Sequence, residues 1–117
     1  MPAYFRAAPS DMSSERLAQL RSMLAEEPGD KFLRYAIALE HKRAGNLQLA
    51  VAELEALIHE DPAQVPCYYQ LALLLAALGR VPDAMHACQA GALQCLVTGD
   101  RKARAELLAL KLELEDA

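Results

Sequence analysis

The sequence predicts an all-α fold, a superhelix of about six antiparallel helices, from three observations. The chain of 117 residues resembles itself at an offset of 34 residues, which is typical of stacked helical hairpins. Hydrophobic residues make up 54% of the chain and aromatic residues only 5%, since most of the apolar content is Ala and Leu, the strongest helix formers. No segment shows the alternation of a strand. The identical pairs at this offset include Tyr35 and Tyr69, Ala38 and Ala72, Leu39 and Leu73, Gly45 and Gly79, Ala50 and Ala84, and Ala56 and Ala90.

The N-terminal segment is predicted to be a tail followed by one helix. Residues 1–11 contain two prolines and no apolar periodicity, so we expect a flexible tail there. A single domain is expected over 12–117. Its first helix is predicted over 13–28, because Ser13 or Ser14 can cap free backbone N–H groups at its start.

Two further helices are predicted from caps and a turn glycine. Asp30 is expected to cap the second helix, over 31–44, and Gly45 to end it in a left-handed conformation. Asn46 is expected to cap the third helix, over 47–60. The connections are short, so neighbouring helices are expected to be antiparallel.

Prolines and glycines define the last three predicted helices. The fourth is expected from Pro66 to Gly79, and the fifth from Pro82 to about Leu96, because Pro is tolerated in a first helical turn. The sixth is expected from about Arg101 to the C-terminus. Its apolar stripe consists of Ala103, Leu107, Leu110 and Leu114, widened by Leu108 and Leu112.

Composition excludes several classes of partner. The net charge is −4, and no basic patch or aromatic platform is visible, so we expect no nucleic acid. No stretch reaches the roughly 20 apolar residues of a membrane span, and no signal peptide is recognisable at the N-terminus. Three cysteines without CxxC spacing fit a reducing compartment. We therefore expect a cytoplasmic protein.

Residues 31–64 and 65–98 carry the same pattern of large, small and turn residues. In each unit a large–small pair in the first helix precedes a turn glycine, a hydrophobic residue and a small residue of the second helix. These positions hold Ile37-Ala38, Gly45, Leu47 and Ala50, then Leu71-Ala72, Gly79, Val81 and Ala84. The pattern resembles the tetratricopeptide repeat. This resemblance implies a right-handed α-α superhelix of two full repeats, with an N-terminal helix over 13–28 and a C-terminal capping helix over 100–117.

The resemblance also implies a function in non-catalytic protein–protein interaction. Proteins of this family bind a peptide or protein segment in a concave groove, lined by the first helix of each repeat. The matching positions are Phe32, Tyr35, Leu39, Lys42, Arg43, Tyr69, Leu73, Ala76 and Ala77. Lys42 and Arg43 would form a basic edge that favours an acidic partner. Some family members clamp a C-terminal carboxylate with cationic and amide side chains. The corresponding positions here include Tyr35, Leu39 and Tyr69, none of which is a cation or an amide, so this activity is not expected.

An alternative is a homo-oligomeric structural protein that associates through the helices around 65–96. The segment 65–78 has no charged residue, and a helix that is apolar all round is expected to be buried all round. Tyr69, Leu73 and Leu93 would form the self-association surface. The N-terminal tail, through Tyr4 and Phe5, is a further candidate to cover this region.

No catalytic or cofactor site is expected. Cys88 and Cys95 lie two helical turns apart on the fifth helix, but no cluster of further ligands supports a metal, so they are interpreted as buried thiols. His41 occupies a core position, and His59 lies near a helix end. Neither has a nucleophile at a defined spacing. We therefore expect no enzyme activity, no cofactor and no metal.

Overall fold

The computed structural model describes the backbone of residues 2–116 and the side chains of residues 14–116, and in this range it has helices and no strand. The all-α prediction is therefore confirmed. The helices are α1 (Pro2–Glu26), α2 (Lys31–Arg43), α3 (Leu47–Glu60), α4 (Val65–Ala77), α5 (Val81–Thr98) and α6 (Arg101–Glu115).

Helix α1 begins earlier than the sequence analysis expected. Its backbone is helical from Pro2, so neither Ser13 nor Ser14 starts the helix, and the described part of the expected tail, residues 2–11, is helical as well. Ala3, Ala7 and Ala8 favour this extension, because alanine has the highest helix propensity. The side chains of Tyr4 and Phe5, expected to cover an apolar face, lie outside the described residues.

The first helix of each repeat ends with the same glycine turn. Gly45 and Gly79 have φ angles of 85° and 79°, a left-handed conformation that side chains disfavour. The N–H of Asn46 donates to the carbonyl oxygen of His41 at 2.9 Å, and the N–H of Arg80 donates to that of Leu75 at 2.8 Å. These bonds satisfy carbonyl groups that the helix end leaves free.

The cap predicted at Asp30 is confirmed by a hydrogen bond, since its carboxylate accepts from the N–H of Leu33 at 3.0 Å. The Asp100 carboxylate caps α6 in the same way, accepting from the N–H of Ala103 at 3.0 Å. Helix α4 begins without such a cap. Its start is fixed instead by the preceding turn, where the Asp61 carboxylate accepts from the N–H of Ala63 at 3.1 Å.

Helix α5 extends about one turn further than α3 does in the preceding repeat. At the offset of 34, position 96 corresponds to Pro62, which follows the end of α3 at Glu60. Because position 96 is Leu rather than Pro, α5 continues to Thr98 before Gly99 ends it. The extra turn leaves Leu96 and Val97 61% and 78% exposed.

The chain divides into two compact units, unit 1 (Met1–Glu53) and unit 2 (Leu54–Ala117). In unit 1, α1 packs on α2; in unit 2, α4 packs on α5, and α6 packs on both α4 and α5. Unit 1 buries the repeat positions Ile37, Ala38 and Ala50 completely. The buried core of unit 2 includes Leu54, Leu57, Leu71, Ala72, Leu74, Ala84, Cys88 and Leu107.

In unit 2, α4 and α5 approach each other closely at Gly91. A Cβ atom built on Gly91 would lie 2.6 Å from Tyr68 Cβ and 2.9 Å from Leu107 Cδ1, well inside van der Waals distance. An alanine at this position therefore does not fit unless its neighbours shift. The space is taken by the buried Tyr68 ring, whose hydroxyl donates to the carbonyl oxygen of Pro62 at 2.7 Å.

Candidate functional site

Helix α2 carries the five expected groove residues of unit 1. Phe32 is 74% exposed, and Arg43 is also exposed. Tyr35, Leu39 and Lys42 are half-buried. A phenylalanine with three-quarters of its surface in water contributes little to a core, so Phe32 is available for contact with another molecule.

The predicted basic edge of α2 is partly neutralised. The Arg43 guanidinium lies 3.4 Å from the Glu40 carboxylate, and that carboxylate also lies 3.7 Å from Arg16 of α1. Glu40 is itself only 4% exposed. A buried carboxylate requires such partners, so Arg43 has a structural role besides the one expected from the sequence.

Glu40 and His41 form a buried polar pair that the sequence analysis missed in part. The Arg21 guanidinium donates to His41 Nε2 at 3.4 Å, and His41 is 5% exposed. His41 Nδ1 has no hydrogen-bond partner among the described residues. At the offset of 34, the second repeat has Leu74 and Leu75 in these places, and that mismatch was a usable signal of a polar α1–α2 interface.

Helix α4 carries the remaining four groove residues, all in unit 2. Ala77 is exposed, whereas Tyr69, Leu73 and Ala76 are half-buried at the spacing of one helical face. The opposite side of α4 is buried, and no residue of the helix is charged. Helix α4 therefore presents a narrow, partly accessible apolar stripe.

Tyr69 contributes to the core more than a pure groove residue would. It packs against a buried cluster of Val65, Tyr68, Cys95 and Leu107. Leu73, one turn further along α4, is not part of that cluster. Leu73 is therefore the better probe of the accessible stripe.

Unit 2 also contains two clefts. One has a volume of about 430 Å³ and lies between the end of α5 and the start of α6, lined by Cys95, Leu96, Gly99, Arg101, Arg104 and Ala105. The other, of about 450 Å³, is lined by residues of α3, α4 and α5 and has His59 and His86 at exposed positions.

The ionisable groups of these clefts do not form a catalytic arrangement in the described part of the chain. Burial, and then the neighbouring Cys67 and Asp61, raise the pKa of Tyr68, so its hydroxyl stays protonated at neutral pH. Burial and Asp100 raise the pKa of Cys95, although Arg104 acts in the opposite direction. A protonated, buried thiol is a poor nucleophile.

Metal-binding chemistry has no candidate cluster among the described side chains. No group of three or more His, Cys, Asp or Glu residues there is arranged to hold a metal ion. Cys67, Cys88 and Cys95 are buried and belong to no disulfide, as expected for thiols that fill core space.

Apolar residues are exposed on α5 and α6. Leu93, from the alternative self-association surface, is 54% exposed, and Leu112 of α6 is 61% exposed. The described helices include none with both the length and the hydropathy needed to cross a bilayer.

The helices and their turns are similar to those of solved repeat proteins. A tetratricopeptide repeat domain protein from Salinibacter ruber is 37% identical, with a TM-score of 0.73, over 76% of this chain and 90% of that chain. A protein from Bordetella parapertussis is 22% identical, with a TM-score of 0.76, over 86% of this chain and 87% of that chain. MamA is 16% identical, with a TM-score of 0.62, over 89% of this chain and 69% of that chain. The last two similarities concern the fold alone.

Neither a family model nor a curated protein matches the sequence. The solved structures and the repeat pattern define the class of this protein, a helical repeat scaffold for protein–protein interaction. The identity to the Salinibacter ruber domain, and the share of that domain covered, place this chain in the tetratricopeptide repeat family.

Proposed function

We propose that this chain binds a short segment of a partner protein along α2 and α4, the first helices of its two repeats, without catalysing a reaction. The observation that carries the proposal is the apolar stripe of Tyr69, Leu73 and Ala76 on an uncharged helix. The core is built on the buried side of α4, whereas Leu73 on the other side stays partly accessible. Contact with an apolar segment would remove this surface from water.

The affinity would come mainly from apolar burial, at about 25 cal/mol per Å² before the costs of association. Phe32 would contribute the largest exposed ring from α2. Lys42 and Arg43 would supply positive charge near the C-terminal end of α2, so acidic segments are favoured over basic ones. Glu40 already neutralises part of the charge of Arg43.

We also propose a cytoplasmic location, supported by the three cysteines that belong to no disulfide. In an oxidising compartment a protein with unpaired thiols would be exposed to disulfide exchange as it folds. A reducing compartment avoids this.

The second candidate function is self-association through the helices around 65–96, and the 54% exposure of Leu93 favours it. Tyr69 and Leu73, the other two residues of that surface, are half-buried. Leu93 is therefore the residue whose substitution separates the two functions.

Selection from a phage-displayed library of short random peptides tests the groove. We expect wild-type protein to enrich acidic, apolar peptides with micromolar Kd values. Because Leu73 would become fully buried on binding, Leu73→Ala should weaken these peptides by about five- to tenfold. Circular dichroism checks that the variant keeps its helicity.

The matched control is Leu93→Ala, an equal truncation on α5. Peptide binding that is weakened by Leu73→Ala but not by Leu93→Ala supports the groove. Equal binding by wild type and the Leu73 variant contradicts it. Weakening by Leu93→Ala alone would place the contact on α5 and favour the second candidate.

A further inference from the structure

The outer side of α6 is apolar and not covered by any described helix, although the apolar faces of stacked repeats are normally covered by a neighbour. The inner side of α6 buries Leu107 and Leu110. The opposite side, by the period of 3.6 residues, contains Ala105, Leu108, Ala109 and Leu112.

This outer face has a coiled-coil spacing. We call it the α6 stripe and define it as Arg101, Ala105, Leu108, Leu112 and Glu115, which recur at alternating intervals of four and three residues. Leu112 is 61% exposed, and Leu108 is half-buried. Such a spacing suits pairing with a second helix rather than with an extended peptide.

The charges of α6 are opposite at its two ends. Arg101, Lys102 and Arg104 lie in the first turn, whereas Glu113, Glu115 and Asp116 lie at the C-terminal end. Arg101 and Arg104 form no ion pair with other described residues, and Glu115 is paired only with Lys111, at 3.0 Å. The helix is therefore complementary in charge to a reversed copy of itself.

From this self-complementarity we propose that α6 pairs in an antiparallel orientation with α6 of a second copy of this chain. With Leu108 opposite Leu108 of the second copy, Arg101 faces Glu115 and Arg104 faces Leu112. A parallel pair would instead bring like charges together at both ends, which is unfavourable. The antiparallel pair is a two-fold symmetric interface, the commonest kind in homo-oligomers.

The cleft beside α6 extends the same surface. It is lined by Leu96, Arg101, Arg104 and Ala105, and Leu96 is 61% exposed. In the antiparallel register, Leu112 of the second copy arrives at Arg104 and Ala105, so its side chain can enter this cleft. The cleft thus adds apolar contact on both sides of the central leucines.

The expected dimer is weak. Helix α6 has 15 residues and is about 22 Å long, so one helix pair with small flanking contacts is near the lower limit of specific interfaces. We expect a micromolar Kd and a monomer of 12.8 kDa at high dilution. The inference does not depend on the proposed peptide groove, because none of its residues belongs to α2 or α4.

Sedimentation equilibrium of the full chain, at loadings from about 1 to 100 μM, tests the pairing. Wild-type protein should shift from monomer to dimer across this range. Leu112→Lys should raise the dimer Kd at least about tenfold, because it places a second cation opposite Arg104. Leu49→Lys is the matched control, since Leu49 is 54% exposed on α3, and Leu93→Lys, at an equally exposed leucine, tests the alternative surface on α5.

A charge swap tests the antiparallel register itself. Arg101→Glu should weaken the dimer, because it faces Glu115 of the second copy, and the double variant R101E/E115R should restore most of the affinity. Both substitutions also suit the helix dipole, with an acid at the N-terminus and a base at the C-terminus, so α6 itself is not expected to unfold.

Three results would overturn the proposal. The first is a monomer at every loading of the wild-type protein. The second is a dimer weakened by Leu93→Lys but not by Leu112→Lys, which would place the interface on α5. The third is a double variant as weak as Arg101→Glu alone, which would exclude the antiparallel register. Peptide binding by Leu73 is measured separately, so loss of either function is distinguishable.

Discussion

Gly91 provides the sharpest test of the packing in unit 2. We consider Gly91→Ala, which adds one methyl group in the middle of α5. The new Cβ would lie 2.6 Å from Tyr68 Cβ, 2.8 Å from Tyr68 Cγ and 2.9 Å from Leu107 Cδ1. Leu107 can turn its methyl group away, but Tyr68 Cβ is attached directly to the backbone of α4. Relief of the clash therefore requires α4 and α5 to move apart.

Two opposing effects determine the magnitude. Replacement of glycine by alanine inside a helix is favourable by about 1 kcal/mol when there is space. Overpacking of a well-packed core costs about 1–3 kcal/mol. Because the clash involves an atom that cannot rotate away, we place the cost near the upper end. The net loss of unfolding free energy should be about 1–2 kcal/mol.

Urea unfolding followed by circular dichroism at pH 7 measures this loss. Ala90 is the control position, because it is the exposed neighbour of Gly91 on α5. Ala90→Gly should lose about 1 kcal/mol from helix propensity alone. If Gly91→Ala instead gained about 1 kcal/mol, the position would behave as an ordinary exposed glycine, and the close approach of α4 and α5 would be refuted.

Three further changes test other parts of the structure by the same urea assay. Ala72→Leu, at a fully buried repeat position, should lower the free energy of unfolding by about 1–3 kcal/mol. The control Ala77→Leu, at an exposed position, should change it by less than about 0.5 kcal/mol. Equal effects would mean that the repeat register is wrong. His41→Leu should raise the free energy of unfolding by about 1 kcal/mol, since it removes a buried Nδ1 without a hydrogen-bond partner. A clear decrease would show that the contact with Arg21 stabilises the fold by more than the buried Nδ1 destabilises it. Burial raises the pKa of Cys88 and that of Cys95 above the ordinary 9.0, although Lys111 lowers the pKa of Cys88. The folded state therefore keeps these two thiol protons to a higher pH than the unfolded chain does. As a result, the free energy of unfolding should fall as the pH rises above about 9. The C88A/C95A variant should show a smaller loss over this pH range, and an unchanged slope would contradict the assignment.

The helical hairpins were predictable because their signals are local and repeated. A glycine at a left-handed helix end and an aspartate at a helix start each act on the backbone within a few residues. The same turn recurs at Gly45 and Gly79 with the same hydrogen bonds. Agreement at two positions 34 residues apart made the prediction secure.

The early start of α1 was not predictable from the same signals. Ser13 and Ser14 are good caps, but a serine can also lie inside a helix. The alanines of the N-terminal segment have no apolar partner pattern, so the periodicity criterion classified them as a tail. Alanine propensity favours a helix there, whereas Pro9, which lies within α1, disfavours it, so neither signal alone places the start of α1.

The departures from the repeat pattern had physical causes that require three dimensions. At Gly91 the Tyr68 ring occupies the space that a side chain would need, and no sequence pattern relates these two positions. The Leu at position 96 allows α5 its extra turn. Glu40 and His41 are buried because α1 brings arginines to them. In each case the cause lies on a different helix or in the absence of a stop signal.

The nine predicted groove residues differ in how well they serve as positions for testing the groove by substitution. Phe32 is mostly exposed, and Leu73 lies outside the buried cluster against which Tyr69 packs. The accessible stripe on α4 followed from the absence of charge in the sequence. Which residue of that stripe also supports the core depended on the position of Cys95 and Leu107, and was not predictable.

The most direct test is a ¹H–¹⁵N chemical-shift titration of the labelled protein with an acidic, apolar peptide enriched by the wild-type protein. If a partner segment binds along the first helices of the repeats, the largest shifts should fall in α2, at residues 31–43, and in α4, at residues 65–77. Leu73→Ala should reduce them at equal peptide concentration. Shifts concentrated in α5 or α6, with α2 and α4 unchanged, would contradict the proposed function.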